Sequence, residues 1–139
     1  MIDRQLRSVD VTHLIGTPWR EQHCGALAFR VLHDVIGIDV REHDLWLDTE
    51  AEDLDRRVEE YLKGQGDRWE LVGKNVECGL LVGDVLWSYG EESHGHNHLS
   101  VVIALDPIPK IVSTSRRANA FIQRASCVRG LLGIYRFIG

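Results

Sequence analysis

Apolar residues recur at helical spacing in the first third of the chain. The pattern predicts a short helix over Val9–Ile15, with Ser8 as its N-cap. A longer helix is predicted over Cys24–Ile36, because its apolar residues form one broad face. Gly37 follows as a residue suited to end that helix. Cys24 is therefore expected in the first helical turn.

A third amphipathic segment predicts a helix over Glu50–Lys63, with Thr49 as its N-cap. From about Glu70 the pattern changes to short apolar runs separated by Gly, Pro, Asn and Ser. These runs predict five strands: Val82–Tyr89, Leu99–Leu105, Lys110–Ser115, Ala120–Cys127 and Leu131–Ile138. Asp106–Pro109 is typical of a hairpin turn. Helices followed by a mainly antiparallel sheet indicate an α+β fold.

The length of 139 residues suits one domain, 1–139, with one core. No apolar run is long enough to span a bilayer, so we expect no membrane span. The first residues lack the apolar stretch of a signal peptide. We therefore expect the protein to be made for the cytoplasm, or to leave the cell without the usual export route.

Charge is unevenly distributed along the chain. The net charge of −5 makes the whole chain a poor nucleic-acid binder, so no nucleic-acid partner is expected. All 21 acids but only 10 of the 16 bases lie in residues 1–106, giving −11 there and +6 beyond Asp106. Two interpretations stay open: a solvated basic sheet face, or a docking surface for an anionic partner.

Three cysteines lie far apart in the sequence, and their spacing is not that of a zinc site. Cys24 is the one placed at a helix N-terminus, where backbone N–H groups and the helix dipole favour the nucleophilic thiolate. The same N–H groups can stabilise an oxyanion. The alternative is a small buried cysteine that packs in the core.

His98 opens a predicted strand and is a candidate general base for Cys24. A third polar group usually orients such an imidazole. Ser113 or Ser115, on one face of the strand that returns after the hairpin, can fill that role directly or through water. The alternatives are an ordinary loop histidine and two sheet-surface serines.

Several short motifs occur in the order typical of the NlpC-type cysteine peptidases, and the chain resembles in particular the compact forms found among bacteriophage tail proteins. The resemblance covers about residues 14–137. The motifs that carry it are Leu14–Trp19, His23–Leu27, Gly37-Ile38, Gly83–Leu86, His98–Ile103 and Lys110–Ser113.

The resemblance implies a papain-like fold, no cofactor, and a catalytic set of Cys24, His98 and Ser113. It also implies cleavage of peptidoglycan stem peptides, with Trp19 and His23 as expected substrate-binding residues beside the nucleophile. Because the sequence shows no export signal or wall-binding domain, the resemblance favours a phage tail component. Such a protein is made in the host cytoplasm, is located in the virion tail, and has other tail-tip proteins as partners.

Three positions depart from the family pattern. His23 stands where Asp is usual, Ala26 where Gly is usual, and Ser113 where His, Asn or an acid is usual. An alternative is therefore a structural tail-tip assembly protein that keeps the fold with weak or no activity.

An alternating histidine run, His94, His96 and His98, suggests a different chemistry. If extended, it presents three imidazoles on one face, suited to zinc, nickel or copper, with Glu91, Glu92 or Cys78 as further ligands. The metal alternative competes with the hydrolase, because metal at His98 occupies the base. In a mixed case, His94 or His96 is the general base.

Overall fold

A computed structural model of the chain describes residues 5–21, 23–40, 51–64, 68–89, 97–115 and 118–139. Within these ranges the architecture is α+β, as predicted, with a six-stranded sheet in the order β1-β6-β2-β3-β4-β5. Every neighbouring pair of strands is antiparallel. The elements are α1 (Cys24–Arg30), α2 (Ala51–Gly64), β1 (Trp69–Gly73), β2 (Val85–Tyr89), β3 (Asn97–Ala104), β4 (Lys110–Ser115), β5 (Asn119–Arg124) and β6 (Leu131–Phe137).

The first edge strand, β1, was not among the five predicted strands, so the sheet has six rather than about five. It pairs with the last strand of the chain, Trp69 lying opposite Phe137 and Leu71 opposite Tyr135. Trp69 and Phe137 also meet edge to face, with ring centroids 5.3 Å apart. This strand is specified by long-range aromatic packing, which local periodicity does not reveal.

The predicted helix over Val9–Ile15 is reduced to a single 3-10 turn, Thr12–Leu14, and its N-cap position is Val11. The assignment of Ser8 as N-cap is wrong. Ser8 instead forms a bridge with Ala104, and the Val9 N–H donates to the Ile103 carbonyl. Pairing with the sheet therefore holds this segment extended, and no helix can start there.

The predicted helix at Cys24 begins where expected, but it is an α-helix only to Arg30 and continues as a π-helical segment, Val31–Ile36. Gly37 ends it in the left-handed conformation, with φ of 87°, as predicted. The next helix, α2, also lies where expected, while its predicted cap, Thr49, lies outside the described residues. No described helix has the length and apolarity to cross a membrane.

Apolar side chains form two clusters. The larger contains α1 and α2 side chains together with alternate strand residues, including Val85, Leu99 and Val112. The smaller contains intervening strand residues, including Leu86 and Ile111, and is joined by the N-terminal segment and the loops around residues 80 and 125. Because successive strand residues point to opposite faces, both faces of the sheet are covered.

A buried ion pair joins the loop before β2 to strand β6. Asp84 is fully buried, and its two carboxylate oxygens accept from Nε and Nη2 of Arg136 at 2.9 and 2.8 Å. Asp84 also accepts from the N–H of Leu81, and Arg136 also donates to the carbonyl of Gly79. These contacts hold the pKa of Arg136 above its ordinary value. The pair fixes the chain where β2 begins.

Replacing Arg136 with methionine leaves the Asp84 carboxylate buried without its cation. We expect the free energy of unfolding to fall by about 3 kcal/mol, at the lower end for such pairs because Arg136 partly reaches solvent. Denaturant unfolding measures the change. Arg7→Met is the matched control, because Arg7 makes the same two-point contact with Asp106 at the exposed surface. Its unfolding midpoint is expected to stay nearly unchanged; equal losses in both variants would contradict the role of burial.

Candidate active site

Cys24 is the first residue of α1 and is 5% exposed. The residue before it, His23, is the N-cap of the helix. Its Nδ1 accepts from the N–H groups of Gly25 at 3.1 Å and Ala26 at 3.3 Å. The imidazole thus satisfies two of the donors that a helix start leaves without intrahelical partners. Substrate contact by His23 remains a prediction.

One face of α1 packs toward the sheet. Cys24, Leu27 and Ala28 belong to the larger cluster, which also contains side chains of β3 and β4. The helix contacts β3 and β4, the two strands that carry His98 and Ser113. The sequence thus brings the Cys24 helix onto the strands that carry the other two predicted catalytic residues.

The pairing of β3 with β4 ends at Val101 and Val112. Beyond that point, β3 continues with β2 as its neighbour and β4 continues with β5 as its neighbour. Residues 98–100 and 113–115 therefore belong to adjacent strands but do not pair with each other. We call this stretch the β3–β4 gap.

The predicted base and its predicted orienting residue meet across the β3–β4 gap. Nε2 of His98 is hydrogen-bonded to Oγ of Ser113. The same hydroxyl lies 3.5 Å from the carbonyl of Leu99, to which it donates. In the Nε2–H tautomer of His98, this hydroxyl accepts from the ring and donates to Leu99, and Nδ1 carries no proton.

Strand alternation places His98 and Ser113 on the face of Val102 and Ile111, which belong to the smaller cluster. Cys24 belongs to the larger cluster. The described contacts thus bring His98 and Ser113 together on one face of the sheet, while Cys24 packs in the cluster on the other face.

Further polar side chains are buried along the β3–β4 gap. Ser100, Ser113 and Ser115 are each buried, and Thr114 is completely so. Ser115 accepts from the N–H of Ala118, whereas the hydroxyl of Thr114 has no hydrogen-bond partner. Neither Ser100 nor Thr114 was singled out in the sequence, although the Ser-Thr-Ser run in a strand otherwise rich in apolar residues was a signal.

The remaining predicted site residues are only partly described. Trp19 is half-buried in the turn before α1, and its substrate contact remains a prediction. His94, His96, Glu91 and Glu92 lie outside the described residues. In the part of the chain that the structure describes, no group of three His, Cys, Asp or Glu side chains is placed to hold a metal. Cys78 is an exposed free cysteine.

Comparisons with protein-family models, with curated proteins and with solved structures gave no match.

Replacing Ser113 with alanine leaves Nε2–H of His98 without its acceptor. We expect the free energy of unfolding to fall by about 1–3 kcal/mol. We also expect the ¹⁵N signals of the His98 ring to lose their preference for the Nε2–H tautomer. The control is Thr114→Val on the next residue, which removes a buried hydroxyl without a partner and should raise stability by about 1 kcal/mol. Unchanged ring signals in Ser113→Ala would contradict the assigned hydrogen bond.

Proposed function

We propose that this protein is a papain-like cysteine hydrolase that cleaves peptidoglycan stem peptides, with Cys24 as nucleophile and His98 as general base. Ser113 orients the imidazole. The observation that carries the proposal is the His98–Ser113 hydrogen bond on two strands contacted by the helix that begins at Cys24. The three predicted catalytic residues thus lie on α1, β3 and β4, and each of these elements contacts the other two.

In the proposed reaction, Nδ1 of His98 takes the thiol proton while Sγ of Cys24 attacks the carbonyl carbon of the scissile amide. The oxyanion of the tetrahedral intermediate accepts from the N–H of Cys24 at the positive end of the helix. His98 then returns the proton to the leaving amine, and a thioester remains on Cys24. Water, deprotonated by His98, hydrolyses the thioester and releases the acid product.

Two features of the site support this use of His98. Its hydrogen bond with Ser113 restrains the ring orientation, which is the role of a third residue in such sites. The second feature is the contact of α1 with both β3 and β4. The proposal requires the thiol of Cys24 to reach the imidazole at the β3–β4 gap when substrate is bound.

The substrate class follows from the resemblance to the NlpC-type peptidases. We propose that the protein belongs to a bacteriophage virion tail and helps the particle to penetrate the cell wall, with other tail-tip proteins as partners. Trp19, half-buried just before α1, is the proposed wall of the substrate cleft.

The proposal is tested by mass spectrometry of defined peptidoglycan fragments incubated with the protein. We expect new stem-peptide products with the wild-type chain. Cys24→Ala should abolish them, and His98→Ala should lower kcat/KM by about 100-fold or more. Cys127→Ala is the matched control, because Cys127 is a free but exposed cysteine and its loss should leave cleavage unchanged. Products that persist in Cys24→Ala would exclude the proposed mechanism.

A second candidate function is a structural tail-tip protein that keeps the fold without cleaving the wall. The burial of Cys24 and the neutral side chain of Ser113 favour it. The contrast between the acidic residues 1–106 and the basic remainder gives it complementary surfaces for docking neighbours. Particles that fail to assemble in a deletion but assemble and penetrate normally with Cys24→Ala would support this function over the hydrolase.

A further inference from the structure

The capping contact of His23 has a chemical requirement that other caps do not share. Its Nδ1 accepts hydrogen bonds from the N–H groups of Gly25 and Ala26. A ring nitrogen that accepts hydrogen bonds carries no proton, so the cap exists only with the imidazole neutral. The usual capping residues, Ser, Thr, Asn and Asp, keep their acceptor oxygen between pH 5 and 8, whereas histidine changes its charge there.

Protonation of His23 has two effects on the start of α1, and both are unfavourable. It converts the Nδ1 acceptor into a donor that faces two other donors. It also adds a positive charge at the positive end of the helix dipole. The affected turn begins at Cys24, whose thiolate is stabilised by the same end of the helix.

We propose that His23 is a positioning residue for Cys24: a proton-sensitive cap that holds the thiol in its reactive setting while the imidazole is neutral, and releases it on protonation. The biological meaning rests on the proposed role of Cys24 as nucleophile. The proposal itself concerns only the reactivity of the thiol.

The direction of the pH dependence follows from linkage. In the unfolded chain, histidine takes up a proton as the pH falls through about 6.5. In the folded chain, the cap excludes that proton from Nδ1. The contribution of the cap to stability is therefore present above this pH and is lost as the pH falls below it.

Other groups near α1 also carry charge, and their titration contributes to any measured pH dependence of Cys24. Besides His23, the titratable and charged side chains among the described residues of α1, its flanking segments and strands β3 and β4 are Arg20, Glu21, Cys24, Arg30, His33, Asp34, His98 and Lys110. His33 and Asp34 are hydrogen-bonded to each other. Variants that differ only at position 23 share all of these groups, so differences between their pH profiles isolate His23.

The test measures alkylation of Cys24 by iodoacetamide from pH 5 to 9, with the three cysteines resolved by peptide mass spectrometry. His23→Asn keeps an acceptor that does not titrate. We expect the rate of Cys24 alkylation in this variant to lie within about twofold of the wild-type rate at pH 8. At pH 5.5 we expect it to be about fivefold faster than wild type, which is the factor given by the usual stabilising free energy of a helix cap. His23→Ala lacks an acceptor for these N–H groups. The pH at which Cys24 alkylation reaches half of its maximal rate should therefore rise by about 0.7 pH unit.

Two further variants separate capping from charge. His23→Asp keeps the cap but adds a negative charge beside the thiol, so its midpoint should rise while the wild-type helix content is retained. His13→Asn, at an exposed histidine in the N-terminal 3-10 turn, should reproduce the wild-type profile.

The difference in unfolding free energy between His23→Asn and wild type provides an independent readout, and it should grow as the pH falls from 8 to 5.5. Parallel profiles for wild type and His23→Asn in both alkylation and unfolding would overturn the proposal. Neither alkylation nor unfolding involves the substrate. A protein that does not cleave peptidoglycan can therefore still show the proposed effect of His23, and the two proposals can fail separately.

Discussion

The contact of α1 with β3 and β4 is the constraint on which the site depends. The face of α1 that packs toward these strands carries Cys24, Leu27 and Ala28, which belong to the same cluster as Leu99 and Val112. A larger side chain in place of Ala28 would displace the helix and, with it, Cys24.

Next to α1, the backbone pairing between β3 and β4 stops, and a side-chain hydrogen bond joins the two strands instead. The β3–β4 ladder ends at Val101–Val112, and the His98–Ser113 hydrogen bond lies just beyond its last pair. Strands held on their outer sides by β2 and β5 can tolerate this local loss because their positions are already fixed. The buried Asp84–Arg136 pair contributes to this frame by anchoring the start of β2 against β6. The proposed catalytic residues His98 and Ser113 therefore lie on strands whose positions are held by the rest of the sheet.

Features with local causes were predictable from the sequence. The start of α1, the end at Gly37 of the π-helical segment that continues it, and the Asp106–Pro109 turn each depend on residues within a few positions, and all were predicted. Features with distant causes were not. Strand β1 depends on Tyr135 and Phe137 in the last strand, and Ser8 pairs with Ala104 at the end of β3. The hairpin predicted a hydrogen bond of His98 with Ser113 or Ser115, and the structure has it with Ser113. The unpaired gap around it depends on the registers of three strand pairs, which the sequence pattern does not reveal.

The two positions where the NlpC-type pattern commonly has an acid or another strong partner hold neutral side chains here, His23 and Ser113. A neutral hydroxyl stabilises an imidazolium less than a carboxylate does, because the charge-assisted hydrogen bond is the stronger one. A neutral cap also adds no negative charge that would oppose a thiolate at Cys24. In the proposed hydrolase, the balance between thiol–imidazole and thiolate–imidazolium therefore depends on the backbone dipoles at the start of α1. The proposed protonation of His23 would change that balance, because it removes the cap and adds a positive charge at the same place.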